Sequence, residues 1–411
     1  MPIIAADTAW VLVSSAMVML MTPGVALFYG GMVRRKNFLS TMMMSFAALG
    51  LVGLLWVLYG YSLSFGPDKA SIIGGLDFLG LAQVGQAPSP VYASTIPHLA
   101  FMVFQAMFAI ITVALITGAV VERIKFSALL VFSAMWLTFV YCPVAHWVWG
   151  DGGWLAGLGA LDFAGGTVVH IAAGVSALSL AIILGPRRGF REGTPMEPGN
   201  IPMVAIGAGI LWFGWFGFNA GSALTSGGLA SSAFVATNIS AAAAAFTWMV
   251  ISWVHRRPTL LGVATGAVAG LVAITPAAGF VSPIMGIPIG AGAAFICYYC
   301  ILFRMELGID ESLDVWAVHG IGGTWGAFAT GIFATVAVNS AGADGLLYGN
   351  PEQLLPQTAG IAAVWVFAFG ATWVLGKVVD RIIGLRVSPA EETVGLDISQ
   401  HGERAYGGQL R

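Results

Sequence analysis

The chain has 411 residues, 58% hydrophobic and only 9% charged, with a formal charge of −2 and a mean hydropathy of +0.87. Soluble domains carry about 25% charged residues, so this balance excludes a water-soluble globule, and the lack of a basic excess argues against a nucleic-acid partner. Apolar runs such as 39–65, 100–121 and 360–376 are long enough to cross a bilayer, and the ten-residue alternation of a membrane β-barrel is missing. The expected class is an all-α polytopic membrane protein.

The first segment, "MPIIAADTAWVLVSSAMVMLM", has no basic residue ahead of its apolar run, so it reads as a retained helix rather than a secretory signal. Continuing along the chain, hydropathy predicts eleven transmembrane helices near 8–30, 39–64, 98–121, 127–149, 163–184, 201–222, 231–254, 260–277, 284–303, 315–337 and 358–380. Basic residues follow the odd-numbered helices: Arg34, Arg35 and Lys36, then Arg123 and Lys125, then Arg187, Arg188 and Arg191, then Arg256 and Arg257, then Arg304. The tail adds Arg381, Arg386, Arg404 and Arg411; of 17 basic residues only Lys69 lies in an alternate loop. Positive charge is retained inside, which predicts the N-terminus outside and the C-terminus inside. An even helix count would spoil this pattern.

Helices 1–5 and 6–10 make two sets of five. An odd-numbered unit that is duplicated inserts upside down, giving two inverted five-helix repeats plus a C-terminal helix. "LDFAGGTVVHIAAG" in the fifth helix and "LDVWAVHGIGG" in the tenth echo each other: Leu-Asp, an apolar run, then histidine. His170 lies about 12 Å along a helix from Asp162, while His319 follows Asp314 by five residues and Asp310 by nine. Both histidines therefore approach the midplane from opposite sides, where such folds hold substrate. The division expected is a transmembrane domain over 1–380 and a cytoplasmic tail over 381–411.

An ionisable residue inside a span is a functional candidate by default. A lone intramembrane histidine can equally be an inter-helix hydrogen bond, but two at matching depth favour function. Two neutral imidazoles can share one N–H, leaving one free donor and one free acceptor in an apolar setting. That suits a proton relay or a small neutral molecule, and it is a poor metal site without a third ligand; no cofactor is expected. Asp162, at the start of its helix, reads first as a cap and second as a source of negative field at the outer mouth; Asp314 and Asp310 read as caps of the tenth helix. In "HWVWGDGGW" (146–154), Trp147 and Trp154 read as interfacial tryptophans, while Trp149 can hold a cation on its face. "FQAMF" (104–108) and "WFGWFGFNAGS" (212–222) read as core aromatics, and Cys142, Cys297 and Cys300 as buried small hydrophobes.

Together, "MTPGVALFYGGMVRRKN" (21–37), "FQAMFA" (104–109), "ALDFAGGTVVHI" (160–171), "GWFGFNAGSA" (214–223), "DVWAVHGIGG" (314–323) and "GLDISQHGERAY" (395–406) resemble the ammonium transporter (Amt/Mep/Rh) family, bacterial and archaeal Amt branch. The resemblance implies an outer recruitment site with Trp149 for cation–π contact and Ser222 as acceptor. It implies a stacked gate of Phe108 and Phe218, an essential aspartate at Asp162, and paired pore histidines at His170 and His319. A homotrimer in the cell membrane and regulation by PII signal proteins are likewise implied. The function so read is recruitment of ammonium, its deprotonation, and conduction of ammonia, with the proton crossing too. A passive ammonia or carbon dioxide channel and an ammonium sensor of the same fold are the alternatives. An enzyme is not expected, since the spans hold no Ser/His/Asp set and no HExxH.

Overall fold

The computed structural model describes residues 2–406. Helix α1 covers Ala5–Met32, α2 Arg35–Phe65, α3 His98–Thr117, α4 Phe126–Gly157, α5 Gly166–Leu184, α6 Ile201–Gly221 and α7 Gly228–His255. After them come α8, Leu260–Ile274, and α9, Pro283–Glu306. Helix α10 opens as a π turn at Trp316–Ile321 and continues as Gly322–Phe333, and α11 covers Pro351–Ile382. Among the described residues nine helices are long and apolar enough to cross a membrane; α8 and α10 are the two outside that set. α8 stops at Ile274, earlier than the hydropathy predicts, because Pro276 has no N–H to continue the ladder.

α1 and α6 lie against each other, with Trp10 Nε1 donating to the Ala220 carbonyl at 3.1 Å. α11 lies against α5. Buried polar side chains at that seam are paired, as an apolar surround requires: Trp136 Nε1 donates to Ser176 Oγ at 2.9 Å, and Thr372 Oγ1 to the same atom at 2.8 Å. Cys142 and Cys297 are buried as expected, whereas Cys300 is only half-buried because its side of α9 is partly open.

One end of the bundle gathers the basic connections and the tail. Glu122, 1% exposed, accepts from the backbone and guanidinium of Arg34, from Asn37 Nδ2 at 2.9 Å and from Arg187 Nη1 at 2.9 Å. Arg187 also grips Asp310 through two nitrogens, at 2.9 and 2.8 Å. Burial alone would raise the Glu122 carboxyl, but Arg187 and Arg34 outweigh it and hold the group below the usual range. The tail forms two short helices, α12 (Pro389–Val394) and α13 (Leu396–His401). Glu392 accepts from Arg188 N–H and from Arg386, while Asp397 accepts from Ser40 N–H at 2.7 Å near the start of α2. The opposite end carries two small hairpins, Asp68–Lys69 with Ile73–Gly74 and Pro88–Ser89 with Ala93–Pro97.

Candidate functional site

At the end opposite the tail, a cavity of about 360 Å³ is lined by Trp149, Ser222, Phe108 and Asp162 together with Tyr92 and Gln105. Trp149 ends the Cys142–Trp149 stretch of α4, and its indole N–H donates to the Asp162 carbonyl at 2.9 Å, which fixes the ring. Ser222 Oγ donates to the Phe218 carbonyl at 2.9 Å. Its hydrogen is thereby committed, and its lone pairs remain to accept. Trp147 is tied into the structure instead, donating to the Ile72 carbonyl at 2.9 Å, and Trp154 packs against it.

The Asp162 carboxylate accepts the N–H groups of Gly165, Gly166 and Thr167 at 2.8, 2.7 and 2.7 Å, and the Thr167 hydroxyl as well. It therefore ties down donors at the α5 start that have no carbonyl of their own. Gly165 makes the turn possible, since its φ of +107° is open to glycine and costly for other residues.

Below this cavity the Phe108 and Phe218 rings stack with centroids 4.1 Å apart and planes 27° apart, both buried. Beneath Phe218 sits His170, its ring 6.0 Å from that of Phe218 and stacked on Trp215 at 5.3 Å. His170 Nδ1 lies 3.2 Å from His319 Nδ1, so one ring donates and the other accepts. His170 Nε2 has no partner among the described residues. The space around the pair, walled by Phe218, Trp215, Leu211, Val268 and other largely apolar side chains, amounts to about 10 Å³. That is close to the minimum that holds one water-sized molecule.

Both histidines stand in π turns, Gly166–Ile171 and Trp316–Ile321, of the kind often found at functional positions. They meet because α5 and α10 cross at glycine: a Cβ on Gly174 would lie 2.1 Å from Gly320 N. Hydropathy cannot register such a crossing.

The caps at α10 differ from the expectation. Asp314 pairs with Arg304 Nη2 at 2.7 Å and Asp310 with Arg187, because a guanidinium claims each carboxylate. Glu311 takes the capping place instead, accepting Trp316 N–H at 3.2 Å. The signal was in the spacing: Glu311 stands eight residues before His319, as Asp162 stands eight before His170. Trp215, inside a stretch that reads as ordinary core aromatics, was missed because its contact with His170 is tertiary.

The sequence profile of the Ammonium Transporter Family matches residues 9–406. The chain is 52% identical over 402 residues to the ammonium transporter of Bacillus subtilis (strain 168), covering 97% of this chain and 98% of that protein. It is 53% identical over 400 residues to the ammonium transporter Amt1 of Archaeoglobus fulgidus, covering 97% and 99%. Among solved structures it resembles Mep2 of Saccharomyces cerevisiae, with a TM-score of 0.91 at 38% identity, covering 99% of this chain and 93% of that one. A structure described as a Sensor Amt Protein gives 0.88 at 29% identity, covering 96% and 98%. With matches running nearly end to end, the chain is a multi-pass membrane protein that belongs to the ammonium transporter family.

Proposed function

We propose that this ammonium transporter recruits ammonium at Trp149 and Ser222, strips its proton beneath the Phe108–Phe218 pair, and passes ammonia along His170 and His319 while the proton crosses separately. The observation that carries this reading is the histidine pair, 3.2 Å apart in a space of about 10 Å³ under a stacked phenylalanine lid. Ammonium and potassium are alike in charge and size, so the negative field of Asp162 cannot separate them. Hydrogen bonding can: the free lone pairs of Ser222 accept from ammonium and have only a bare ion to meet in potassium. The apolar passage then imposes the desolvation cost of a charge on any ion that keeps its charge. Neutral ammonia avoids that cost and finds a donor and an acceptor at the imidazoles.

In the membrane this reading takes all eleven helices, α8 and α10 included, as crossings. The N-terminus is outside, the C-terminus inside, and α1–α5 and α6–α10 are inverted repeats. The two eight-residue carboxyl-to-histidine spacings and the paired π turns support that symmetry. The tail beyond α11, held against the basic connections by Glu392 and Asp397, is the natural place for control. A homotrimer and a PII signal protein at that face belong to the same reading.

Ammonium-evoked current in proteoliposomes tests it. Wild type should carry current, and His170→Leu and His319→Leu should abolish it; full current in both variants would sink the relay. Uptake without current in wild type would instead make this a passive ammonia channel. Likeness to a sensor gives a second reading, in which the chain binds ammonium and reports through its tail. Growth of a transport-deficient host on limiting ammonium separates the two.

A further inference from the structure

We propose that Glu311 is the proton acceptor at the tail end of the passage, taking the proton that leaves His319. The inference rests on the relay reading above and adds a residue to it.

Asp162 and Glu311 are mirror positions, each eight residues ahead of a pore histidine and each accepting N–H groups at the start of that histidine's helix. They are not equally satisfied. The Asp162 oxygens take four donors between them. Glu311 is 1% exposed, its Oε2 takes Trp316 N–H with Val315 N–H close by, and its Oε1 is buried with no hydrogen-bond partner among the described residues. A sealed carboxylate oxygen without a donor is costly, and the cost is removed when the group binds a proton.

The surroundings point the same way. Two guanidinium groups stand near enough to act on the carboxyl, Arg304 and Arg123, and both are committed elsewhere. Arg304 is hydrogen-bonded to Asp314 and the Ile309 carbonyl, and Arg123 to Ser312 and the carbonyls of Ala119 and Asp310. Asp314 adds a like charge, and Asp310 is held by Arg187. Burial, more than any of these, lifts the Glu311 carboxyl to about 7, so near neutral pH it can both take and release a proton. It also lies near the passage: Tyr29 lines the histidine space and is close enough to Glu311 to feel its charge. Val315, next to the capped Trp316, and the Tyr29 ring flank Gly118 together.

The step itself is a proton transfer. An N–H bond of the His319 imidazolium breaks and an O–H bond forms on Oε1, the eight-residue separation of about 12 Å along a helix being bridged by a chain of waters, and carboxylate becomes neutral acid. The acid then releases the proton to the aqueous end. No electron moves, and ammonia travels separately.

The test is ammonium-evoked current in proteoliposomes of the full chain as pH on the tail side is varied, for wild type, Glu311→Gln and Glu311→Asp. Wild-type current should fall as that pH drops through about 7, where Glu311 fills with protons. E311Q should lose about a hundredfold in current, the low side of acid–base contributions, and what remains should be flat with pH. E311D should keep a pH dependence with a displaced midpoint. A glutamate that merely caps α10 gives a different result: E311Q lowers thermal stability and current alike but keeps the wild-type pH profile, and that outcome overturns the proposal. So does an E311D midpoint identical to wild type, a reading available even if E311Q does not fold. Failure of the relay itself shows elsewhere, as full current in the histidine variants.

Discussion

Ser222 matters through the direction of one hydrogen. Its hydroxyl donates to the Phe218 carbonyl, so the side of the oxygen that remains free can only accept. Ser222→Ala removes the acceptor while leaving the α6 ladder intact. A hydrogen bond to a charged group is worth about 1.5–3 kcal/mol, so the KM for ammonium should rise about tenfold or more with the maximal current little changed. Concentration–current curves for the variant check this; an unchanged KM with a lowered maximum would remove Ser222 from recruitment. Asp162 illustrates why roles overlap here. Its carboxylate is the anchor of α5 and at the same time lines the cavity a cation would enter. Capping explains its hydrogen bonds, and the proposed cation path uses the field that remains.

At the scale of elements, the crossing of α5 and α10 decides whether the histidines can meet. A Cβ on Gly174 would sit 2.1 Å from Gly320 N, an approach backbone atoms cannot relieve without moving a helix. A Cβ on Gly320 would meet Trp316 Cδ1 at 3.2 Å and Gly174 C at 3.3 Å, a crowding that small shifts absorb. Gly174→Ala should therefore separate His170 from His319 and abolish current, with a stability loss at or above the roughly 1–3 kcal/mol usual for overpacking. Gly320→Ala should retain most of both. Current and thermal unfolding in detergent for the two variants provide the comparison, and equal effects would refute the crossing as the controlling contact.

On the whole-molecule scale, Glu122 joins the connections around Arg34 and Arg187, and Arg187 extends the network to Asp310. Glu122→Gln leaves the buried Arg187 guanidinium, and the partly exposed one of Arg34, short of counter-charge, a loss of roughly 3–5 kcal/mol for a broken buried pair. The pH dependence has a definite sign. Because the folded carboxyl is held below its ordinary 4.5, the folded chain binds fewer protons there than the unfolded chain. Its contribution is complete above 4.5 and is lost as pH falls through the folded value. Thermal unfolding between pH 3 and pH 7 should thus show a steep acid-side loss in wild type and a flatter one in E122Q (both limits are about one to three units from the ordinary carboxylate range). Identical slopes would mean that Glu122 does not carry the linkage.

Hydropathy and charge in the sequence determined that this is a helical membrane protein, and its quoted motifs determined the family. The reason is that bilayer crossing depends on local composition, which one dimension records in full. The repeated Leu-Asp and histidine pattern also marked Asp162, His170 and His319 as candidates before any contact was known. What the chain alone could not decide was which carboxylate caps α10, since three acidic residues lie within five positions and only the ion pairs with Arg304, ten residues back, and with remote Arg187 remove two of them. Nor could it decide that Trp215 stacks on His170, or that two glycines 146 positions apart in the sequence let two imidazoles come within 3.2 Å. Those outcomes depend on close packing between helices remote in the chain, where a single methyl group is the difference between contact and separation.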